Sequence, residues 1–304
     1  MKALFHALAG SEAIKRAASR YGMRRRSSFA RRFIAGERVE EAIEAARAIE
    51  RDGMHVTLDY LGESVASIAA AAAATREYLA VVDAITAAGI GRNISLKLTQ
   101  LGLDVDRATT VDNLRRILDR AAAQEFFVRI DMESSAYTAQ TLEIFETLWQ
   151  QGYRNAGVVI QSYLRRSEDD VRRMNALGAR VRLVKGAYKE PRDVAYPSKA
   201  DVDAKFVELM RLLLDEGAYP AIATHDPAMI EATRAHAASR GHATSRFEFQ
   251  MLYGIRRDLQ AQLTAAEYPF RVYVPFGKEW FPYFMRRLGE RPANVLFVLK
   301  SLMR

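Results

Sequence analysis

Three charged side chains near the carboxyl end of the chain have the spacing to bind a small zwitterion. Arg286 and Arg287 are adjacent and Glu290 follows within one turn, so one side of a helix can carry all three. Arginine presents a planar fork of donors that matches a carboxylate, and a nearby acid can hold that fork or receive an ammonium group. The pattern therefore predicts an amino-acid ligand, although an ordinary basic helix face with a salt bridge has the same spacing.

A second group of polar residues lies in or directly after short runs of apolar and β-branched residues. Polar side chains are costly inside such runs, because a buried charge needs a partner. Their recurrence from run to run therefore indicates a binding cleft, and their excess of positive charge favours an anionic or electron-rich ligand. Thr224 and His225 close the sixth run, where they either contact the ligand or cap the next helix. The other members are Lys97, Arg129, Asp131, Gln161, Arg182, Lys185, Glu248, Gln250 and Tyr273.

Eight short runs have the composition of β-strands, and amphipathic helical stretches lie between them. The runs cover residues 55–60, 93–98, 126–131, 156–161, 180–185, 220–224, 246–252 and 270–274. Eight strands that alternate with helices predict a (β/α)8 barrel, whose active site forms at the carboxyl ends of the strands. The alternative is an open doubly wound sheet. However, Gly89-Ile-Gly91 precedes a strand, whereas the nucleotide-binding glycines of such sheets follow one.

The amino-terminal part of the chain differs from the rest in charge and pattern. The first fifty residues have a helical pattern, with nine basic residues between positions 15 and 38. We therefore predict a basic helical arm at residues 1–52, followed by a barrel domain at residues 53–304. Such an arm suits an anionic membrane surface or nucleic acid, or it is a solvated helix face packed on the barrel.

Composition excludes several classes of function. The chain has 304 residues, of which 49% are hydrophobic and 27% charged, as is typical of a globular protein. It contains no cysteine, which excludes disulfides and thiolate chemistry. Its five histidines, at positions 6, 55, 225, 236 and 242, form no HExxH pair, so the spacing predicts no metal site. No stretch approaches the roughly 18 apolar residues of a membrane span, and we expect no signal peptide.

Seven segments at the strand ends resemble those of the proline dehydrogenase family. They are SLKLTQLGLD, VRIDMESSAYT, VVIQSYLRRSEDDV, RVRLVKGAYKEP, AIATHD, FEFQMLYG and YVPFGKEWFPYFMRRLGERPAN. The resemblance runs in order from about residue 53 to the end of the chain and matches the small monofunctional bacterial members. It implies a distorted (β/α)8 barrel that binds FAD without a Rossmann domain, and a carboxyl-terminal helix that bears the substrate-binding arginines.

The resemblance also implies a reaction and the residues that perform it. It implies oxidation of L-proline to Δ1-pyrroline-5-carboxylate by hydride transfer to FAD, with the electrons passed to a membrane quinone, as the first step of proline catabolism to glutamate. Substrate binding is assigned to Lys97, Asp131, Leu252, Tyr273, Arg286, Arg287 and Glu290. Catalytic roles are assigned to Lys97, Asp131 and Arg182, with Asp131 held against an arginine and Arg182 stabilising the reduced flavin.

The same resemblance implies a flavin site and a cellular location. Cofactor binding is assigned to Met132, Gln161, Arg182, Lys185, Gly186, Ala187, Tyr188, Thr224, His225 and Gln250. A quinone acceptor predicts a cytoplasmic protein in peripheral contact with the inner face of the cell membrane, and we expect no nucleic acid as partner. Two rival classes stay open, a barrel lyase without flavin and a nucleic-acid binder that uses the basic arm. Hydroxyproline is the rival substrate.

Overall fold

The computed structural model describes residues 28–290, apart from the side chains of residue 29 and residues 288–290. Eight parallel strands form a closed barrel in the order in which they occur along the chain. This confirms the predicted (β/α)8 barrel and excludes the open sheet. The strands are β1 (His55–Tyr60), β2 (Asn93–Leu96), β3 (Phe127–Ile130), β4 (Ala156–Gln161), β5 (Arg180–Val184), β6 (Ala221–Ala223), β7 (Glu248–Leu252) and β8 (Phe270–Phe276).

The helices form the outer layer of the barrel, with one exception at its carboxyl end. They are α1 (Val39–Arg51), α2 (Ile68–Ala88), α3 (Arg107–Ala123), α4 (Ser135–Gln150), α5 (Ser167–Leu177), α6 (Lys199–Glu216), α7 (Pro227–Ser239), α8 (Arg257–Ala265) and α9 (Trp280–Glu290). Helix α1 precedes the first strand and packs against β8 and β1, where a helix following β8 would otherwise lie. Because α1 occupies that position, α9 is not part of the outer layer. Within residues 28–290, no helix is both long and apolar enough to cross a membrane.

Local sequence signals explain where the helices begin and end. The hydroxyl of Ser67 accepts a hydrogen bond from the backbone N–H of Ala70 and starts the alanine-rich helix α2. That helix ends at Gly89, whose left-handed conformation suits glycine. Asp226 caps α7 in the same way, and Pro227 occupies the first helical position, where its missing N–H costs nothing.

The interior of the barrel contains polar side chains, while an apolar layer lies between strands and helices. Val56 and Leu58 of β1 belong to the main apolar core, whereas Asp59 in the same strand faces polar neighbours. Near the amino ends of the strands, Glu248 pairs with Arg271 at 2.9 Å. The buried polar residues therefore have partners inside the barrel, as burial of charge requires.

The prediction of continuous helix at the amino terminus is wrong for residues 33–38. After a 3₁₀ turn at Phe29–Arg32, the chain is irregular as far as α1. The backbone N–H of Ala35 donates to the carbonyl of Pro275, and that of Gly277 donates to the carbonyl of Gly36. These long-range bonds to the end of β8 replace helical bonds, which local periodicity does not reveal. Residues 1–27 of the predicted arm lie outside the described residues, so the domain division at residue 52 stays a prediction.

Helix α9 lies on this irregular amino-terminal segment (residues 28–38). Phe33 and Ile34 form an apolar cluster with Trp280 and Phe284 of α9, separate from the main core. The indole N–H of Trp280 donates a 3.0 Å hydrogen bond to Glu37. The position of α9 over the strand ends therefore depends on residues from both ends of the described chain.

Candidate active site

Polar side chains from five strands meet at the carboxyl end of the barrel. A guanidinium nitrogen of Arg182 lies 2.7 Å from Oδ1 of Asp131. The Tyr273 hydroxyl oxygen lies 2.6 Å from Oδ2 of Asp59 and 2.8 Å from Oδ2 of Asp131. The ammonium nitrogen of Lys97 lies 3.6 Å from Oδ2 of Asp59. We call these five residues the strand-end cluster, in which two acids face two basic side chains.

Hydrogen-bond counting places an extra proton in this cluster. The Tyr273 hydroxyl has one proton and donates to one carboxylate, so the other carboxyl group at this distance must donate a proton to the hydroxyl oxygen. Burial raises the pKa of Asp59 against the opposing charge of Lys97. We therefore assign this proton to Asp59, so that the Tyr273 hydroxyl donates to Asp131, which also accepts from Arg182.

The two other titratable members keep their protons at neutral pH. Burial alone would lower the pKa of Lys97, but the carboxylates of Asp59, Asp131 and Glu63 outweigh it and raise that pKa above its ordinary value. Burial, followed by the charges of Asp131 and Asp59, raises the pKa of Tyr273 well above its usual range. The cluster is thus a buried set of paired polar groups, in which Asp131 accepts hydrogen bonds from both Arg182 and Tyr273.

Helix α9 brings Arg286 to a cavity beside the cluster. The guanidinium of Arg286 lies 2.6 Å from the carboxylate of Glu63, which follows β1. This pairing outweighs burial for both groups, since the pKa of Glu63 is lowered and that of Arg286 is raised. Glu63, Lys97, Tyr283 and Arg286 all line the cavity, which has a volume of about 540 Å³. Arg286 of the predicted carboxylate clamp is therefore paired with Glu63, which lies at the carboxyl end of the barrel.

The other two members of the predicted clamp are Arg287 and Glu290. The guanidinium carbon of Arg287 lies 5.2 Å from the ring centre of Tyr283, within reach of a cation–π contact. The side chain of Glu290 lies outside the described part of the structure. The roles of Arg287 and Glu290 in substrate binding stay predictions.

Several residues predicted to bind the cofactor form one wall at the ends of β4, β5 and β6. The amide nitrogen of Gln161 donates to the carbonyl of Glu133 at 2.9 Å. The ammonium of Lys185 donates to the carboxylates of both Asp203 and Asp226, at 2.6 Å in the second case. Burial opposes these ion pairs, yet Lys185 lowers the pKa of both carboxyl groups. Lys185 is therefore held rigidly beside the end of β5.

Thr224 and His225 at the end of β6 have protein partners. The Thr224 hydroxyl accepts from the backbone N–H of Asp226, the residue that caps α7. Nε2 of His225 accepts from the backbone N–H of Leu252 at 3.0 Å, which ties β6 to the end of β7. Asp226, and not Thr224 or His225, therefore caps the next helix, and the role of both residues at the cofactor stays a prediction.

The remaining predicted residues occupy three different settings. Met132 is buried next to Asp131, and the amide of Gln250 donates to Glu248 inside the barrel. Gly186 has a φ of 110° and lies against the ring of Tyr163, so a side chain there would clash. Ala187 is exposed.

Tyr188, predicted to bind the cofactor, also feels the charges of two residues predicted or observed beside the substrate cavity. Burial raises the pKa of Tyr188 to about 12, and the charges of Arg286 and Lys97 oppose that rise. These two cations line the cavity below α9. The loop after β5 therefore contributes a phenol to the electrostatic surroundings of this cavity.

Sequence reasoning assigned no role to four acids that complete the site, although three of them lie at the ends of predicted strands. The missed residues are Asp59, Glu63, Asp203 and Asp226, each of which pairs with a predicted residue. Asp59 and Glu63 did carry a signal, because both follow the apolar part of β1 at its carboxyl end. Asp203 lies in the first turns of a helix, where acids are common, so its pairing with Lys185 has no sequence signal.

A closed barrel with a buried, charge-paired cluster at its carboxyl ends defines a (β/α)8 barrel enzyme. The family model described as proline dehydrogenase matches residues 42–300. Proline dehydrogenase 1 of Bacillus subtilis is 41% identical over 304 residues, which is 100% of this chain and 99% of that protein. Proline dehydrogenase of Deinococcus radiodurans is 42% identical over 281 residues, with 91% of each chain covered. The chain therefore belongs to the proline dehydrogenase family, oxidoreductases of proline catabolism.

Solved structures show the same architecture within longer chains. Proline utilization A from Bdellovibrio bacteriovorus, inactivated by N-propargylglycine, superposes with a TM-score of 0.81 at 24% identity. The match covers 94% of this chain and 38% of that one, and it speaks for the fold alone. A mutant of proline utilization A from Bradyrhizobium japonicum gives a TM-score of 0.71 at 26% identity, covering 84% of this chain and 30% of that one.

Proposed function

We propose that the chain oxidises L-proline to Δ1-pyrroline-5-carboxylate with FAD as cofactor and passes the electrons to a membrane quinone. Membership of the proline dehydrogenase family supports the reaction class. The observation that carries the proposal is the single cavity that contains both Arg286 and Lys97 beside the buried acids. A cation for the substrate carboxylate and an acid for the substrate amine are what a zwitterionic amino acid requires.

The substrate carboxylate binds to the arginines of α9. Arg286 holds Glu63 in the structure, and an incoming carboxylate offers the same acceptor geometry to the guanidinium fork. Tyr273 offers its ring to the pyrrolidine, while its hydroxyl bonds to Asp59 and Asp131. These contacts orient the substrate, and orientation is the main contribution of a protein to cofactor chemistry.

The residues at the ends of β4 to β6 fit a flavin nucleotide. Lys185 and Arg182 supply positive charge for a pyrophosphate and an electron-rich ring, and Gln161 supplies an amide. Nε of Arg182 is buried and has no acceptor among the described residues, so this donor is open to a bound group. When bound, FAD supplies the acceptor for the hydride lost from the substrate carbon next to the ring nitrogen.

The strand-end cluster handles the proton that the substrate amine must lose. Hydride loss requires the neutral amine, because a positively charged nitrogen cannot release a lone pair. Asp131 is the member of the cluster that takes up this proton, and the Tyr273 hydroxyl links it to Asp59. Arg182 donates a hydrogen bond to Asp131 and holds this carboxyl group in position.

The visible absorption spectrum tests this function directly. We expect the purified protein to show a flavin band that bleaches when L-proline is added without oxygen. Bleaching by hydroxyproline but not by L-proline would identify hydroxyproline as the substrate. An oxidised flavin band that persists with both compounds would refute proline oxidation. A colourless protein that FAD does not reconstitute would favour the lyase alternative.

Contact with the membrane is a separate part of the proposal. A quinone acceptor requires the cytoplasmic enzyme to reach the inner face of the membrane, and the basic arm supplies positive charge for anionic lipids. Deletion of residues 1–27 tests the arm while keeping residues 28–38, which seat α9. We expect reduced binding to anionic liposomes with unchanged proline oxidation by a soluble acceptor. Unchanged liposome binding would contradict the role of the arm.

A further inference from the structure

Three side chains on the outside of the barrel form a cluster that the proposed reaction does not use. Asp215 lies near the end of α6, His236 lies in the last turn of α7, and His242 lies between α7 and β7. Nε2 of His236 is 3.0 Å and Nε2 of His242 is 2.8 Å from the same oxygen, Oδ1 of Asp215. The side chains are only 14%, 13% and 27% exposed for His236, His242 and Asp215 respectively.

We propose that Asp215, His236 and His242 bind one divalent transition-metal ion of the zinc type. Two imidazole nitrogens and one carboxylate oxygen form a donor set that such ions prefer. Ligand atoms around a tetrahedral zinc ion lie about 3.3 Å apart. The ligand atoms of the three residues already lie within 4.8 Å of one another, so small side-chain movements admit the ion. A fourth position stays open to water.

The backbone holds the two histidines in place for this role. Gly241 follows α7 with a φ of 68°, in the left-handed conformation that glycine favours. The N–H of Gly241 donates to the carbonyl of Ala238, and the N–H of His242 donates to the carbonyl of Ala237. This pair of bonds turns the chain back over the last helical turn and fixes His242 beside His236. The site is therefore largely formed before an ion binds.

The helix dipoles favour a cation at this point. Asp215 and His236 lie at the carboxyl ends of α6 and α7, where the partial charge of a helix is negative. The opposite ends of the same helices carry Asp203 and Asp226, which together hold Lys185. An ion bound at the cluster joins α6 to α7. It thereby stabilises the relative position of the two helices whose acids hold Lys185.

One neighbouring charge opposes the ion and provides a diagnostic variant. Nε of Arg240 lies 3.4 Å from Oδ1 of Asp215, although the side chain is 60% exposed. A metal ion must displace this guanidinium from the carboxylate. Arg240→Ala is therefore expected to bind zinc about two- to fivefold more tightly than the wild type.

The sequence prediction of no metal site rested on spacing along the chain. These ligands come from two helices and a connecting segment, so no short motif joins them. The signal that existed was weak: two histidines six positions apart on either side of a helix-ending glycine.

Zinc retention and thermal unfolding of the untagged holoenzyme test the proposal. After treatment with EDTA and incubation with zinc chloride, we expect about one zinc ion per chain to remain after gel filtration. Zinc at a hundredfold excess over its Kd should raise the Tm by about 5 °C, whereas magnesium chloride should not. Wild-type protein that retains no zinc and shows no Tm shift overturns the proposal without any variant.

Matched histidine variants locate the ion. His242→Gln removes one ligand of the cluster, and His55→Gln removes a histidine of β1 that lies outside it. We expect the zinc-dependent Tm shift to disappear in His242→Gln and to persist in His55→Gln, with flavin content unchanged in both. Equal zinc shifts in the two variants would place the ion elsewhere and refute this site.

Discussion

Replacing Tyr273 with phenylalanine removes one hydroxyl group from the strand-end cluster and keeps the ring. The hydroxyl bonds to Asp59 at 2.6 Å and to Asp131 at 2.8 Å, and both contacts are lost together. A hydrogen bond to a charged group contributes about 1.5–3 kcal/mol when a buried partner is left behind. For a chain of this size we therefore expect the Tm to fall by about 2–5 °C at neutral pH.

The loss in Tyr273→Phe should also depend on pH. The pKa of Asp59 is raised in the folded protein, so its stabilising contribution is complete below the unfolded pKa of about 3.9 and is lost as the pH rises through the folded value. Without the hydroxyl, Asp59 and Asp131 face each other and the folded pKa rises further. The stability deficit of the variant should therefore increase as the pH rises through the raised pKa of Asp59.

Thermal unfolding followed by circular dichroism measures both effects. Tyr153→Phe is the matched control, because the Tyr153 hydroxyl donates to Asp119 at 2.9 Å on the surface. Its loss should stay within about 0.5 kcal/mol and should not vary with pH in this way. Equal Tm losses in the two variants, or a Tyr273→Phe loss that is constant with pH, would refute the assigned proton on Asp59.

Three further predictions concern substrate and cofactor binding. Arg287→Ala should raise the KM for proline about 10- to 150-fold, through loss of a charged hydrogen bond, while the flavin-to-protein absorbance ratio stays constant; loss of flavin at unchanged KM would contradict the clamp. Glu63→Gln should lower the Tm at pH 7 by removing the ion pair with Arg286. Because the pKa of Glu63 is lowered in the folded protein, the difference in Tm between the wild type and this variant should disappear as the pH falls from about 4.3 through that lowered pKa. A difference in Tm that persists at that pH would exclude the ion pair as its cause. Lys185→Met should release flavin on gel filtration, whereas Lys199→Met, which removes an exposed partner of the same acids, should retain it; equal retention would make Lys185 structural only.

The order and type of the elements could be predicted from the sequence because they follow local patterns. The predicted bounds of β1 and β4 agree with the structure. The amphipathic pattern also predicts a helix over 227–239, which is α7, where Asp226 and Pro227 mark the start. The same kind of pattern predicts a helix over 111–123, but α3 begins four residues earlier, at Arg107. The reason is that Asp106 caps the helix one turn before the first apolar contact, with its carboxylate 2.6 Å from the N–H of Thr109.

The pairing of the site could not be predicted because it joins distant parts of the chain. Glu63 and Arg286 lie 223 positions apart, and Asp59 and Tyr273 lie 214 positions apart. Each residue type suits its place at a strand end, but the choice of partner depends on closure of the barrel. The proton shared by Asp59 and Tyr273 is a property of that closure, since neither residue alone would hold it.

The packing of α9 on residues 28–38 has a consequence for how a newly made chain becomes active. The apolar residues Phe33 and Ile34, which pack against α9, leave the ribosome before all eight strands, whereas Trp280, Phe284 and Arg286 leave it after them. Until then the amino-terminal segment has no helix to cover, and the cavity beside Lys97 has no cation above it. A nascent chain can therefore close most of its barrel during translation and still recognise no substrate. Under the proposed function, competence for proline is therefore acquired only when α9 packs against residues 28–38, after the strands of the barrel have been made.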